Sequence, residues 1–311
     1  MYVTAFDKGY AARGIVMVTS LRKFCPDAPV TVLCLDLETE LACAKLLVGS
    51  GVRIMRLVDL GHDLVSSIRL NREYREFCWT LGAVLCRHLL KEGVDEVVYL
   101  DADICFFGNP LLPLQEARKG DLAAVGHNFP TRLKKYEANG VFNVQWVFFR
   151  NSAMGVGAAE RWAEQCIANC KYDPENGIVG DQKYLDEWPD LYPSFVRITC
   201  PGAGVAPWNH EVLRPTMVDG SWRIRDGAEL IFFHFHGLKI EQNGLIQLSG
   251  PVYTEITELP VALYTEYLAL LAAVESQIRN LTGTCDPATW RIAKNGTLGR
   301  IRKALAERIV R

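Results

Sequence analysis

The chain has 311 residues, is 49% hydrophobic and 23% charged, and carries a formal net charge of −2. This composition suits one large core, or a core with a smaller appendage, and excludes a disordered, collagen-like or strongly polycationic protein. No apolar run reaches the roughly 18 residues that a membrane span needs, and the start Met1-Tyr2-Val3-Thr4-Ala5-Phe6-Asp7 lacks the basic region and long apolar run of a signal peptide. The ten cysteines form no Cys-x-x-Cys pair and are expected to be reduced thiols of a cytoplasmic protein.

In chain order, residues 2–6 are a short apolar run suited to a buried strand, and 10–24 have helical spacing ending before Cys25-Pro26. A β-branched run predicts a strand over 30–35, and 38–48 predict a helix stopped by Gly49-Ser50-Gly51. A third strand is expected at 52–57, a long helix at 72–91 and a fourth strand at 96–100. This alternation argues an α/β fold with a mostly parallel sheet and right-handed crossovers. Such sheets bind ligands beyond the C-terminal ends of their strands. Further strands are expected at 122–125, 142–149 and 229–235, and helices at 152–170 and 260–280. Gly180-Asp181-Gln182 opens another helix, with Asp181 in the N-cap position.

The chemistry is concentrated at the end of the fourth strand. In Tyr99-Leu100-Asp101-Ala102-Asp103 the two carboxylates are two residues apart, so in extended chain both project to one side. A hard cation such as Mn²⁺ or Mg²⁺ would offset their repulsion. His234 and His236 share the same spacing, and either imidazole could complete that site. Gly237 permits close backbone approach and Lys239 supplies a point charge suited to phosphate. Asp7 and Tyr10 offer an acceptor and a ring for a nucleotide base, or equally a helix cap and a core residue.

Together these residues resemble the GT-A-fold glycosyltransferases, specifically glycosyltransferase family 8, over roughly residues 2–240. Val3-Thr4-Ala5-Phe6-Asp7-Lys8-Gly9-Tyr10 is similar to that family's first strand and nucleotide loop. The resemblance implies that Thr4, Ala5, Asp7 and Tyr10 hold a UDP-sugar, the aspartate contacting uracil and the tyrosine stacking on it. Tyr99 to Asp103 resembles its Asp-x-Asp motif, which implies metal ligation by Asp101 and Asp103 and nucleotide contacts from Asp101 and Ala102. Phe142-Asn143-Val144-Gln145 resembles the donor-sugar strand, with Asn143 as its contact and Gln145 where glycine is usual. Gly180-Asp181-Gln182 resembles the Asp-Gln pair beside the reacting sugar, which implies catalytic roles for Asp181 and Gln182. His234-Phe235-His236-Gly237 resembles the His-x-x-Gly segment, implying His234 as third metal ligand and His236 and Gly237 as nucleotide contacts. Lys239, expected at the diphosphate, follows Gly237 by two residues where the family usually has three.

The expectation is therefore a metal-dependent hexosyltransferase, retaining at the anomeric carbon, that moves sugar from UDP to a glycan or lipid-linked acceptor. Its catalytic domain would span 1–255, followed by C-terminal helices at 256–311. From Arg291 to Arg311 the net charge is +6, leaving about −8 elsewhere. Leu298, Ile301, Leu305 and Ile309 fall on one face of that segment, so 297–311 could lie on an anionic membrane surface or pack on the body. Nucleic acid is not expected, because the positive charge is confined to one end and lacks interleaved aromatics. Two alternatives stay open: a non-catalytic nucleotide-sugar-binding protein, and a haloacid-dehalogenase-like phosphatase, which also uses an Asp-x-Asp pair.

Overall fold

A computed structural model describes residues 1–47, 49, 51–240, 246–254 and 259–282. The basic helix expected at 298–310 lies outside the described residues. Strand and helix alternate from the start: β1 (Tyr2–Phe6), α1 (Ala11–Phe24), β2 (Val30–Cys34), α2 (Leu37–Leu46), β3 (Val52–Arg56), α3 (His62–Leu70), α4 (Tyr74–Lys91) and β4 (Glu96–Leu100). The short strand β5 (Ile104–Phe106) follows, then α5 (Leu111–Ala117), β6 (Leu122–Gly126), β7 (Phe142–Arg150) and α6 (Ala153–Ala168).

The central sheet has seven strands in the order Phe195–Ile198, β6, β7, β4, β1, β2, β3. Only β7 runs against the others. Chain order reverses between β2 and β4 around β1, which places a crevice beyond the ends of β1 and β4. Because β7 is reversed, its first residues lie at the same edge, and the Asp101 N–H donates to the Gln145 carbonyl at 3.1 Å. A bulge between Ala124 and Val125 of β6 shifts the register here, so that Val125 faces Asn143 while Ala124 faces Val147.

Apolar side chains cover both faces of the sheet. Leu81, Val84, Leu85, Leu89, Trp162 and Ala163 from α4 and α6 pack on one face, and Ile15, Val18, Leu21, Ala42 and Cys43 from α1 and α2 on the other. The result is a three-layer α/β/α body, the mostly parallel GT-A arrangement. Helix α1 approaches β1 closely because Gly14 has no side chain: a Cβ there would lie 2.1 Å from the Phe6 ring.

A second, smaller sheet joins distant parts of the chain. β5 pairs antiparallel with Phe232–His234, aligning Ile104 with His234. The regular strand is three residues long, shorter than the 229–235 expected, although single backbone bonds extend the contact on both sides, from the Phe107 N–H to the Ile231 carbonyl and from the Phe235 N–H to the Asp103 carbonyl. Behind it packs the helix Val261–Thr282, which buries Leu263, Tyr264, Tyr267, Leu268 and Leu271 against Phe233, Phe235 and Leu238. Phe235 stacks on Tyr267 with ring centroids 3.7 Å apart. The helix therefore braces the strand that carries the histidines.

Candidate active site

Asp101 follows directly on β4, and Asp103 directly precedes β5. The Phe235 N–H donates to the Asp103 carbonyl at 2.9 Å, and the His234 N–H to Val205 at 2.8 Å, which fixes the histidine strand beside the acidic turn. His234 Nε2 thereby lies 3.0 Å from Asp103 Oδ1 and 3.8 Å from Asp101 Oδ2. His236, the next residue but one, brings its ring centroid to 5.3 Å from that of His234 although the strand has ended. Ligand atoms of Asp103, His234 and His236 all lie within 4.8 Å of one another. His234 is buried, with 3% of its side chain exposed, whereas His236 reaches the surface.

The electrostatics follow from that crowding. Burial pushes the Asp101 carboxyl up to about 6, with the His234 charge opposing and the Asp103 charge adding. Burial acts the same way on Asp103, but the charge and hydrogen bond of His234, helped by His236 and Arg13, hold it down at about 2. His234 is raised, because the two aspartates outweigh its burial. Its Nδ1 is buried and has no hydrogen-bond partner among the described residues. Two close carboxylates and two imidazoles, with one carboxyl already driven toward its neutral form, are a donor set that a divalent cation fits. The mixed oxygen and nitrogen character suits Mn²⁺ better than Mg²⁺.

Around this cluster sit the other residues singled out from the sequence. Asp7 follows directly on β1 and accepts the Tyr10 N–H on Oδ1 at 3.1 Å, so it caps the turn before α1. Tyr10 remains 45% exposed, and the Asp103 charge together with burial pushes its phenol up to about 12, which places it next to the acidic turn. Thr4 is fully buried in β1, its hydroxyl unpartnered among the described residues, Ala5 is half-buried and Ala102 is buried. Asn143 accepts the Gln145 N–H on Oδ1 at 3.0 Å, which fixes its amide. Its Nδ2 donates to Gln182 Oε1 at 3.1 Å and faces His127 Nε2 at 3.0 Å. Gln182 in turn donates to the Asn139 carbonyl at 2.9 Å.

Asp181 is buried and does not cap the following helix: the residues after it form a 3-10 turn, Gln182–Glu187, and its side chain accepts no capping bond. The physical reason lies in the backbone, since Asp181 is itself in helical φ and ψ rather than the extended conformation of a cap. Burial, reinforced by the charge of Asp101, raises its carboxyl to about 8. Gly180 before it has φ +56° and leaves room for Trp79, whose ring would be 2.9 Å from a Cβ. Gly237 also takes positive φ, +75°, and a Cβ there would lie 3.0 Å from the Gly250 nitrogen. Lys239 is exposed and makes no ion pair among the described residues.

Sequence reasoning assigned three further groups no place at the cluster. Arg13 lies 4.8 Å over the Tyr10 ring and donates to the Leu238 carbonyl at 3.2 Å, so it reaches from α1 toward the histidine segment. Its position three residues after Tyr10, on the same helix face, was the available signal. Trp208 packs edge-on against His234 and His236, at 5.4 and 5.5 Å, and donates to the His127 carbonyl at 2.8 Å. His127 is buried, which holds its imidazole down at about 3, and it stacks on Phe129 at 4.7 Å. His127 stands in no local motif, and Trp208 stands in Pro207-Trp208-Asn209, which only loosely resembles the family's later acceptor-side asparagine segment; the fold brings both here.

Comparison with known proteins agrees with this fold. A family model described as nucleotide-diphospho-sugar transferase matches residues 27–187. The chain is 28% identical over 280 residues to the uncharacterized protein YfnF of Bacillus subtilis (strain 168), covering 86% of this chain and 91% of that protein. It is also 28% identical over 244 residues to YfnD of the same strain, covering 77% and 78%. Among solved structures, an active-site mutant of LgtC superposes with a TM-score of 0.50 at 18% identity, covering 93% of this chain and 98% of that one. The bifunctional glycosyltransferase WbbM superposes with a TM-score of 0.56 at 12% identity, covering 91% of this chain and 51% of that one. These two likenesses show a shared fold. The family match spans over half the chain and includes the Asp101 to Asp103 turn, so this protein belongs to the nucleotide-diphospho-sugar transferase family.

Proposed function

We propose that this transferase is a family 8-type, metal-dependent, retaining hexosyltransferase that uses a UDP-sugar and a glycan or lipid-linked acceptor. The observation that carries the reading is the meeting of Asp101, Asp103 and His234, from segments 130 residues apart in chain, at the crevice beyond β1 and β4. Asp101, Asp103 and His234, with His236 beside them, would hold the cation. When bound there, Mn²⁺ would offset the charge gathering on the departing diphosphate.

The remaining roles fall to the chain's own groups. Tyr10 offers an exposed ring face for the uracil, and Asp7 an acceptor for its imino N–H. Thr4 and Ala5 line the strand below, and Ala102 the turn above. Asn143 and Gln182, linked by a hydrogen bond, would orient the sugar. Asp181 lies near enough to feel the charge of Asp101 and would stand close to the anomeric carbon. Arg13, close to Tyr10 and Asp103, supports diphosphate binding alongside Lys239 and the close backbone approach at Gly237.

In the transfer, the bond from C1 to the phosphate oxygen breaks and a bond from C1 to the acceptor oxygen forms on the same face. The acceptor's hydroxyl proton passes to the departing phosphate. The binding-only alternative lacks this turnover.

A thermal-shift panel of nucleotide sugars with Mn²⁺ or EDTA, followed by a transfer assay that identifies the product anomer, tests the reading. Stabilisation by UDP-sugars only with metal, lost in Asp103→Ala, and a product of retained configuration are expected. Equal stabilisation by every nucleotide, or indifference to EDTA, overturns it.

A further inference from the structure

A second site is built outside the crevice, on a hairpin that the transfer reaction does not use. Thr216–Val218 and Ser221–Arg223 pair antiparallel, with Thr216 opposite Arg223 and Val218 opposite Ser221. Asp219 and Gly220 form the two-residue turn, both at positive φ (+48° and +78°), the conformation that matches strand twist in a tight hairpin. Side chains alternate along such strands, so Thr216 and Arg223 share one face while Met217 and Trp222 share the other. Trp222 anchors that other face: it is buried and donates to Glu266 Oε2 at 2.8 Å.

Past the paired residues the Arg225 N–H donates to the Leu213 carbonyl, so the two chain segments stay together, and Arg214 at positive φ and Arg225 in the following turn line the same cavity as Thr216 and Arg223. Arg214, Thr216, Val218, Arg223 and Arg225 line an open cavity of about 420 Å³. None of the three guanidiniums has a carboxylate within 4.0 Å among the described residues. The acids nearby are engaged or turned away: Glu211 pairs with Arg132, Asp226 accepts the Ala228 N–H, and Glu229 accepts the Asn109 N–H beside Gly108. Arg223 is steadied by the Gly227 carbonyl at 3.5 Å and Arg214 by the Glu211 carbonyl at 3.3 Å, which leaves most of their N–H groups without a partner among the described residues.

Three cationic forks and a hydroxyl facing one cavity match the geometry of phosphate recognition, and the volume exceeds what a bare inorganic ion fills. We infer that the hairpin face of Arg214, Thr216, Arg223 and Arg225 is a binding site for a phosphoryl group carried on a larger molecule. That molecule is either a soluble phosphate ester or the headgroup of a lipid. The site stands independently of the donor crevice and of the reaction proposed there.

The test uses the full chain in EDTA, titrated calorimetrically with inorganic pyrophosphate, and sedimented with phosphatidylcholine vesicles with or without phosphatidic acid. Both probes are applied to wild type, Arg223→Gln, Arg225→Gln and, as a control for the crevice, Asp103→Asn. The arginine side chains are at the surface, so these variants keep the fold, which an unchanged Tm verifies. Saturable binding that weakens about tenfold or more in each arginine variant, and persists in Asp103→Asn, is expected. Pyrophosphate binding alone supports a soluble phosphate ester, and arginine-dependent vesicle binding supports a lipid headgroup. Binding by neither probe, binding unchanged in both arginine variants, or loss in Asp103→Asn overturns the inference.

Discussion

Asp181→Asn separates the consequence of burying an acid from the rest of the site. Burial, and then the charge of Asp101, raise the Asp181 carboxyl to about 8 from its ordinary 3.8. Between about pH 5 and pH 7 the unfolded chain has released this proton while the folded chain keeps it. The native state therefore binds one more proton than the unfolded state, and stability falls as pH rises, by about 1.4 kcal/mol per unit. Over those two units the loss is about 3 kcal/mol at most. Asparagine keeps the shape of the neutral acid and has no proton to release, so its stability escapes this slope. Asp101, raised to about 6, titrates in both proteins and cancels in the difference. Urea unfolding of both proteins in EDTA across this range measures the gap. The variant should gain on wild type by up to about 3 kcal/mol as pH rises. A gap that does not change with pH would refute the reasoning, since the carboxyl would then be ionised in the folded protein at pH 5.

Other perturbations address the fold's supports. Gly14→Ala places a methyl 2.1 Å from the Phe6 ring, and overpacking of this kind costs about 1–3 kcal/mol, read from urea midpoints. Tyr267→Ala removes the ring stacked on Phe235 and should cost about 3–5 kcal/mol; it should also weaken Mn²⁺ binding, measured by calorimetry, because Phe235 adjoins both histidines. Asn143→Ala cuts the contacts to His127 and Gln182, with a loss of about 1–3 kcal/mol in stability and reduced transfer from a UDP-sugar. For Asp103, held at about 2 against an ordinary 3.8, the linkage has the opposite sign: its contribution is present above pH 4 and disappears as pH falls through about 2. In His234→Gln the acid-unfolding midpoint, followed by circular dichroism, should therefore move to higher pH.

The first four strands were legible because their β-branched runs alternate with amphipathic helices, and each observed strand falls within two residues of its expected span. The edge strand Phe195–Ile198 was missed: its four residues include an exposed arginine and carry no alternation long enough to read. β5 was hidden for another reason, since Ile104 to Phe106 continue the apolar run after the acidic turn and only their pairing with Phe232–His234 defines them. The 3-10 turn after Asp181 depends on packing that local propensity does not record, whereas the helix His62–Leu70 carried a readable stripe, Leu64, Val65 and Ile68, that went unread. The hairpin at Asp219-Gly220 did carry its signal, a two-residue turn dipeptide between short β-prone runs, and went unread. Within the candidate site, spacing could nominate Asp101, Asp103, His234 and His236, but the placing of Arg13, His127 and Trp208 beside them comes from tertiary contacts.

The antiparallel pairing of Ile104 with His234 has a consequence for how the protein matures. During synthesis the seven-stranded sheet has all its members once residue 198 has emerged, yet the histidine partner of the aspartate turn is still to come. An early fragment ending there would retain most of the body while lacking a closed cation cage. On the proposed reading, competence to capture a nucleotide sugar arrives only after His234 has joined β5.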